Sequence, residues 1–101
     1  MEVGHIEVDD NELLGIIKKY DLAEVSAFGS VLRDDFNEKS DLDLLVVFHN
    51  SKEKSLFDII DLKNELEELV GRNVDIVEKE ALRNPYRKEE ILRTAKVIYA
   101  A

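Results

Sequence analysis

The chain has 101 residues, which is enough for one compact domain and too few for two, so we predict a single domain over residues 1–101. Acidic side chains outnumber basic ones by 23 to 14, which gives a net charge of −9 and makes direct binding to nucleic acid unfavourable. Cysteine is absent, which excludes disulfides and a thiol nucleophile. Because no apolar run approaches membrane-span length and no signal-peptide pattern is present, we expect a cytoplasmic protein without a membrane partner.

The first predicted element is an amphipathic helix that begins after Asp9 or Asp10. Either aspartate can cap the free N–H groups of the first turn, and apolar residues then recur at helical spacing as far as Tyr20. Residues 1–8 carry no clear pattern. His5 among them is interpreted as an exposed residue, since no partner lies at metal-ligand spacing.

Two predicted strands follow, on either side of a polar segment. Val25 to Phe28 is a short apolar strand, Gly29-Ser30 turns the chain, and Ser30 to Arg33 can form one helical turn. After a polar loop over residues 34–40, Leu42 to Phe48 is apolar on both faces. That pattern is typical of a central strand covered on each side.

A second helix is predicted to open at Ser55, because Ser55 and Asp58 have the spacing of a capping box. Gly71 is placed to end this helix, and Val74 to Val77 form the next strand. A strand, a helix and a strand in succession indicate a crossover between parallel strands.

The last predicted elements are a helical turn over Ala81 to Arg83, a helix over Arg87 to Ala95, and an edge strand over Val97 to Tyr99. Together the elements predict an α/β (α+β) domain in which a small mixed sheet is flanked by helices.

Two carboxylates open the predicted central strand. Because side chains alternate along a strand, Asp41 and Asp43 project on the same side, roughly 6.5 Å apart. Such a pair repels unless a cation lies between the carboxylates, and Mg²⁺ takes one or two carboxylates together with phosphate oxygens. The nearby Gly29-Ser30 turn can bring backbone N–H groups and a hydroxyl to a phosphate. These residues predict a metal–phosphate site, and the alternative is a solvated strand entrance.

Asp75 is a third carboxylate of interest, because it is the only charged residue in the predicted strand over Val74 to Val77. A buried lone carboxylate is costly unless it is paired or binds a metal. The alternative is an ordinary aspartate that faces water.

The pattern as a whole resembles the signature of the polymerase-beta-type nucleotidyltransferases. Gly29-Ser30, ten intervening residues and then Asp41-Leu42-Asp43 match that signature, and the resemblance extends roughly from Leu13 to Tyr99. The chain is most similar to the minimal, single-domain branch, the MNT-type proteins. Arg33 matches an arginine often found three places after the serine, and Asp75 matches a third family carboxylate.

The resemblance implies a polymerase-beta-like fold and an Mg²⁺-dependent nucleotidyl transfer with ATP as substrate. Asp41 and Asp43 would hold one metal ion, and a second would be shared with Asp75. The backbone at Gly29 and the Ser30 hydroxyl would bind the β- and γ-phosphates. Arg33 would lie near the phosphates or the partner, although it could also be a surface cation paired with Asp34 or Asp35.

The resemblance also implies a protein partner. MNT-type proteins are commonly paired with a helical HEPN protein as antitoxin and toxin, and can transfer AMP from ATP to a partner tyrosine. One alternative is a binding module that neutralises its partner by contact, with its acidic surface over a basic RNA-cleaving site. Another is a small-molecule nucleotidyltransferase. The chain departs from many family members at Asp34, where they have glycine, so we expect a less flexible loop there.

Overall fold

In the computed structural model, which describes residues 1–100, two short strands and three helices accompany a four-stranded sheet. The elements in chain order are β1 (Glu2–Val3), β2 (Ile6–Glu7), α1 (Asp10–Lys19), β3 (Leu22–Phe28), β4 (Leu42–Phe48), α2 (Leu56–Val70), β5 (Val74–Glu78), α3 (Pro85–Thr94) and β6 (Lys96–Ala100).

The main sheet has the strand order β5-β4-β3-β6. β4 and β5 run parallel and are joined by α2, whereas β3 is antiparallel to both β4 and β6. The predictions of a mixed sheet, a parallel crossover and a C-terminal edge strand are therefore confirmed, as is the central position of the strand over Leu42–Phe48.

The two faces of this sheet are covered unequally. On one face Leu42, Leu44 and Val46 pack with buried residues of α1 and α2, which makes the larger core. On the other face a smaller cluster forms, and its buried members are Phe28, Leu45, Leu82 and Ile91. Since side chains alternate along β4, Asp43 shares this second, less covered face with Leu45.

Side-chain caps fix the ends of the helices. The Asp9 carboxylate accepts the Glu12 N–H at 2.9 Å, and Ser55 and Asp58 form the predicted capping box at the start of α2. Gly71 ends α2 in the left-handed conformation, with φ +70°. These boundaries agree with the predictions, because each capping residue is adjacent in sequence to the helix end that it caps.

Several elements differ from the predictions in their bounds or were not predicted. β3 begins at Leu22 rather than Val25. α3 begins at Pro85, two residues before the predicted start at Arg87, because the Asn84 side chain caps the helix there. The predicted helical turn over 81–83 is a 3₁₀ turn at Lys79–Ala81. The largest difference is a β1–β2 hairpin in the segment without a pattern, turned by Gly4 at φ +61°.

Within residues 1–100, none of the helices combines the length and the hydropathy that a membrane crossing requires.

Candidate active site

The register of the two parallel strands brings the central carboxylates together. Asp43 of β4 and Asp75 of β5 are direct partners across the sheet. Direct partners on neighbouring strands project on the same face, so both side chains lie at the same end of the second face. Asp43 is half-buried and Asp75 is exposed. One carboxylate of the pair is therefore partly buried, and the other is exposed to solvent.

Asp43 is strained electrostatically. Burial raises the pKa of its carboxyl above the ordinary value, and the negative charges of Asp75 and Asp41 raise that pKa further. A protonated Asp43 carboxyl can donate to the Asp75 carboxylate, which raises the pKa further, and the Arg33 guanidinium lowers it. A cation between these groups would relieve the repulsion, so the donor set fits a hard divalent metal.

Asp41 lies just before β4 and is exposed. The Leu42 N–H donates to the Asn73 carbonyl at 2.9 Å, which extends the β4–β5 pairing back towards Asp41. Even so, residues 1–100 contain no group of three His, Cys, Asp or Glu side chains already arranged to hold a metal ion. Two carboxylates with substrate phosphate oxygens are the set that Mg²⁺ commonly uses, and the metal role of all three aspartates stays a prediction.

The Gly29-Ser30 turn lies directly beside this pair. Phe28, the last residue of β3, is the cross-strand partner of Asp43, and Gly29 then takes a φ of +75°. A Cβ at Gly29 would come 2.5 Å from the Asp43 Oδ2 atom. Glycine is therefore favoured here by its backbone conformation, and any side chain at this position would require the Asp43 carboxylate to shift.

Ser30 and Arg33 complete the predicted set. The Ser30 hydroxyl donates to the Asp41 carbonyl at 3.2 Å, so it ties the turn to the start of β4. The Arg33 guanidinium is exposed and donates from Nε to the Asp35 carboxylate at 3.3 Å, while its charge also reaches Asp43. The surface pairing considered from the sequence is present, and it leaves Arg33 close to the site.

One premise about Asp75 was wrong. The cost of burying a lone carboxylate does not apply, because Asp75 is exposed at the edge strand β5. Its relation to the site comes instead from the strand register, which no residue pattern within β5 reveals.

Sequence reasoning missed two residues that support the site. The Glu67 carboxylate accepts the Val74 N–H at 2.9 Å, next to Asp75, and pairs with Lys63 at 2.7 Å. The Arg72 guanidinium donates to the Asn37 and Ser40 carbonyls in the 34–40 loop. The carbonyl partners of Arg72 lie 35 and 32 residues earlier in the chain, so no local pattern indicates them. Glu67 has the i,i+4 spacing of an ordinary helix-surface pair with Lys63, which does not indicate its contact with β5.

Comparison with known proteins gives a consistent family. Residues 10–98 match the model of the nucleotidyltransferase domain. MJ0435 of Methanocaldococcus jannaschii, which is named as a candidate protein adenylyltransferase, is 38% identical over 83% of this chain and 87% of its own length. The protein adenylyltransferase MntA of Thermococcus cleftensis is 37% identical over 70% of both chains.

Solved structures agree. A candidate minimal nucleotidyltransferase is 40% identical to this chain and superposes with a TM-score of 0.69 over 84% of each chain. The crystal structure of a toxin–antitoxin with AMP-PNP superposes with a TM-score of 0.74, over 93% of this chain and 75% of the other. At 16% identity the second match is a likeness of fold alone. Together with the matched domain model, these similarities show that the chain belongs to the nucleotidyltransferase family, in its minimal branch.

Proposed function

We propose that this protein transfers AMP from ATP to a tyrosine hydroxyl of a HEPN-domain partner, with Mg²⁺ as cofactor, and thereby acts as an antitoxin. The observation that carries the proposal is the Asp43–Asp75 pair beside the Gly29 turn, on the less covered face of the sheet. The identity of 37% to a protein adenylyltransferase named MntA supports a protein acceptor.

Each residue has a defined part in this reaction. Asp41 and Asp43 would hold Mg²⁺ against the triphosphate, and Asp75 would share in binding a second ion. The bound metal would supply positive charge at the phosphates and lower the pKa of the acceptor hydroxyl. The backbone at Gly29 and the Ser30 hydroxyl would contact the β- and γ-phosphates, with Arg33 as a nearby cation.

The proposed transfer is a nucleophilic substitution at the α-phosphorus of ATP. The tyrosine oxygen forms a bond to that phosphorus, and the bond from phosphorus to the oxygen leading to the β-phosphate breaks. Pyrophosphate leaves with the electron pair of the broken bond. Asp75, the exposed member of the pair, would accept the hydroxyl proton.

The test is transfer of label from α-labelled ATP to a HEPN-domain protein, in the presence of Mg²⁺. We expect label on the partner with the wild type and loss of that label in Asp41→Asn/Asp43→Asn. The matched control is Asp34→Asn/Glu38→Gln, which removes two exposed carboxylates of the neighbouring loop and should label the partner normally. Equal labelling by the aspartate double variant would contradict the metal assignment.

A second candidate is neutralisation of the partner by contact alone. The net charge of −9 favours it, because an acidic surface suits a basic RNA-cleaving site. Tight complex formation without any label on the partner would support this function. Label on a small metabolite instead of the protein would indicate a small-molecule nucleotidyltransferase.

A further inference from the structure

Arg72 connects two parts of the chain that flank the candidate site. It follows Gly71 in the short connection between α2 and β5. Its Nη1 atom donates to the Asn37 carbonyl at 3.0 Å and to the Ser40 carbonyl at 3.1 Å, both in the 34–40 loop. One side chain therefore fastens the loop that leads into Asp41 to the segment that leads into Asp75.

An aromatic contact holds the guanidinium in place. The Arg72 Cζ atom lies 4.4 Å from the ring centroid of Phe36, and Phe36 also stacks on His5, with centroids 6.1 Å apart and planes at 19°. Arginine on an aromatic face combines cation–π attraction with stacking. The stack therefore stabilises the guanidinium in the position from which it donates to the loop carbonyls.

The carbonyls that Arg72 contacts lie close to the proposed metal-binding carboxylates. Ser40, whose carbonyl Arg72 holds, immediately precedes Asp41. In the same connection the Asn73 carbonyl accepts the Leu42 N–H, on the other side of Asp41. Asp41 is thus bracketed by two contacts from a three-residue connection, although its own side chain is exposed.

We infer that Arg72 is a positioning residue for nucleotidyl transfer, which holds the 34–40 loop so that Asp41 stays beside Asp43 for metal binding. The inference rests on the proposed function for its catalytic consequence. Lysine cannot replace arginine fully here, because an ammonium can donate to carbonyls but lacks the planar group that stacks on Phe36.

The experiment compares Arg72→Ala and Arg72→Lys with the wild type and with Arg93→Ala, a control that removes an exposed arginine from α3. Hydrogen–deuterium exchange of residues 34–41 measures the order of the loop without metal. Electron paramagnetic resonance of free Mn²⁺ measures metal affinity, and transfer of labelled AMP gives kcat and KM.

We expect Arg72→Ala to speed exchange in residues 34–41 and to weaken Mn²⁺ binding roughly tenfold or more, as loss of a supporting contact typically does. The kcat should fall at fixed Mg²⁺ and recover in part at high Mg²⁺, with KM for the acceptor protein unchanged. Arg72→Lys should lie between the wild type and Arg72→Ala, and Arg93→Ala should behave as the wild type.

Wild-type Mn²⁺ affinity and kcat in Arg72→Ala would overturn the inference, even if the loop exchanged faster. If Arg72→Ala does not fold by circular dichroism, Arg72→Lys decides: weaker Mn²⁺ binding supports the role, and unchanged binding overturns it. If the wild type labels no acceptor, the proposed function fails, whereas Mn²⁺ affinity and loop exchange still decide the role of Arg72.

Discussion

At the residue scale, the Gly29 turn and the Asp43 carboxylate constrain each other. Gly29 has a φ of +75°, and a side chain on it would displace the Asp43 Oδ2 atom. We expect Gly29→Ala to destabilise the fold by about 1–2 kcal/mol from backbone conformation alone, and to abolish transfer. Urea unfolding and the labelling assay measure the two effects.

A matched control for that change lies in α1. Gly15 is exposed, and a Cβ there would meet nothing within 4 Å. We expect Gly15→Ala to stabilise the protein by about 0.5–1 kcal/mol, because alanine restricts the unfolded chain and favours the helix. Loss of stability in Gly15→Ala, or its gain in Gly29→Ala, would contradict this account of the two glycines.

Asp43 also predicts a pH dependence of the metal-free protein. Its folded pKa is raised by burial and then by Asp75 and Asp41, so the folded state binds more protons than the unfolded state in that pH range. Ionised Asp43 therefore destabilises the fold at neutral pH, and this penalty declines as the pH falls through the raised pKa and is gone below the ordinary aspartate pKa. We expect Asp43→Asn to raise Tm in EDTA at pH 7, and to raise it less at about pH 4.

The control for this prediction is Asp34→Asn, which removes an exposed carboxylate from the neighbouring loop. It should change Tm little at either pH. A lower Tm for Asp43→Asn at pH 7 would mean that Asp43 is stabilised, not strained, in the folded protein.

At the element scale, α2 begins at a capping box remote from the site. The Asp58 N–H donates to the Ser55 hydroxyl, and the Ser55 N–H donates to the Asp58 carboxylate at 2.8 Å. We expect Ser55→Ala to cost about 1 kcal/mol in urea unfolding. The kcat should not change, because α2 begins beyond the opposite end of β4 from Asp43. A fall in kcat would show coupling between this cap and the site.

The stability that the capping box contributes depends on pH. The Ser55 backbone N–H lowers the pKa of Asp58, so the stabilisation is present above the ordinary aspartate pKa and is lost as the pH falls through the lowered value. The pKa shift of Asp58 is opposite in direction to that of Asp43, because Asp58 accepts hydrogen bonds whereas Asp43 is partly buried and faces other carboxylates.

At the scale of the whole molecule, stability depends on one principal core between the sheet and the helices α1 and α2. Leu62 of α2 has 0% exposure within it. We expect Leu62→Ala to cost about 2–5 kcal/mol, a large part of the roughly 5–15 kcal/mol typical of a small domain. The control is Leu56→Ala, since Leu56 is 69% exposed. Similar urea midpoints for the two variants would contradict the assigned core.

The sequence by itself determined the elements whose signals are local. The capping residues at Asp9, Ser55 and Gly71 and the apolar run of β4 act within a few residues, so their positions could be predicted. The spacing of Gly29-Ser30 and Asp41-Leu42-Asp43 likewise indicated the nucleotidyltransferase family that the comparisons show. The β1–β2 hairpin was missed, because two-residue strands carry too little pattern.

The family resemblance indicated that Asp75 belongs to the site, but only the tertiary structure gave the physical reason why these residues meet. The partnership of Asp43 with Asp75 depends on the register of two parallel strands, which a whole helix separates along the chain. Arg72 reaches carbonyls 35 and 32 residues earlier, through contacts that leave no periodicity in the sequence. Local sequence patterns reflect interactions between residues that are close along the chain. The strand register and the long-range hydrogen bonds depend instead on how the whole core packs.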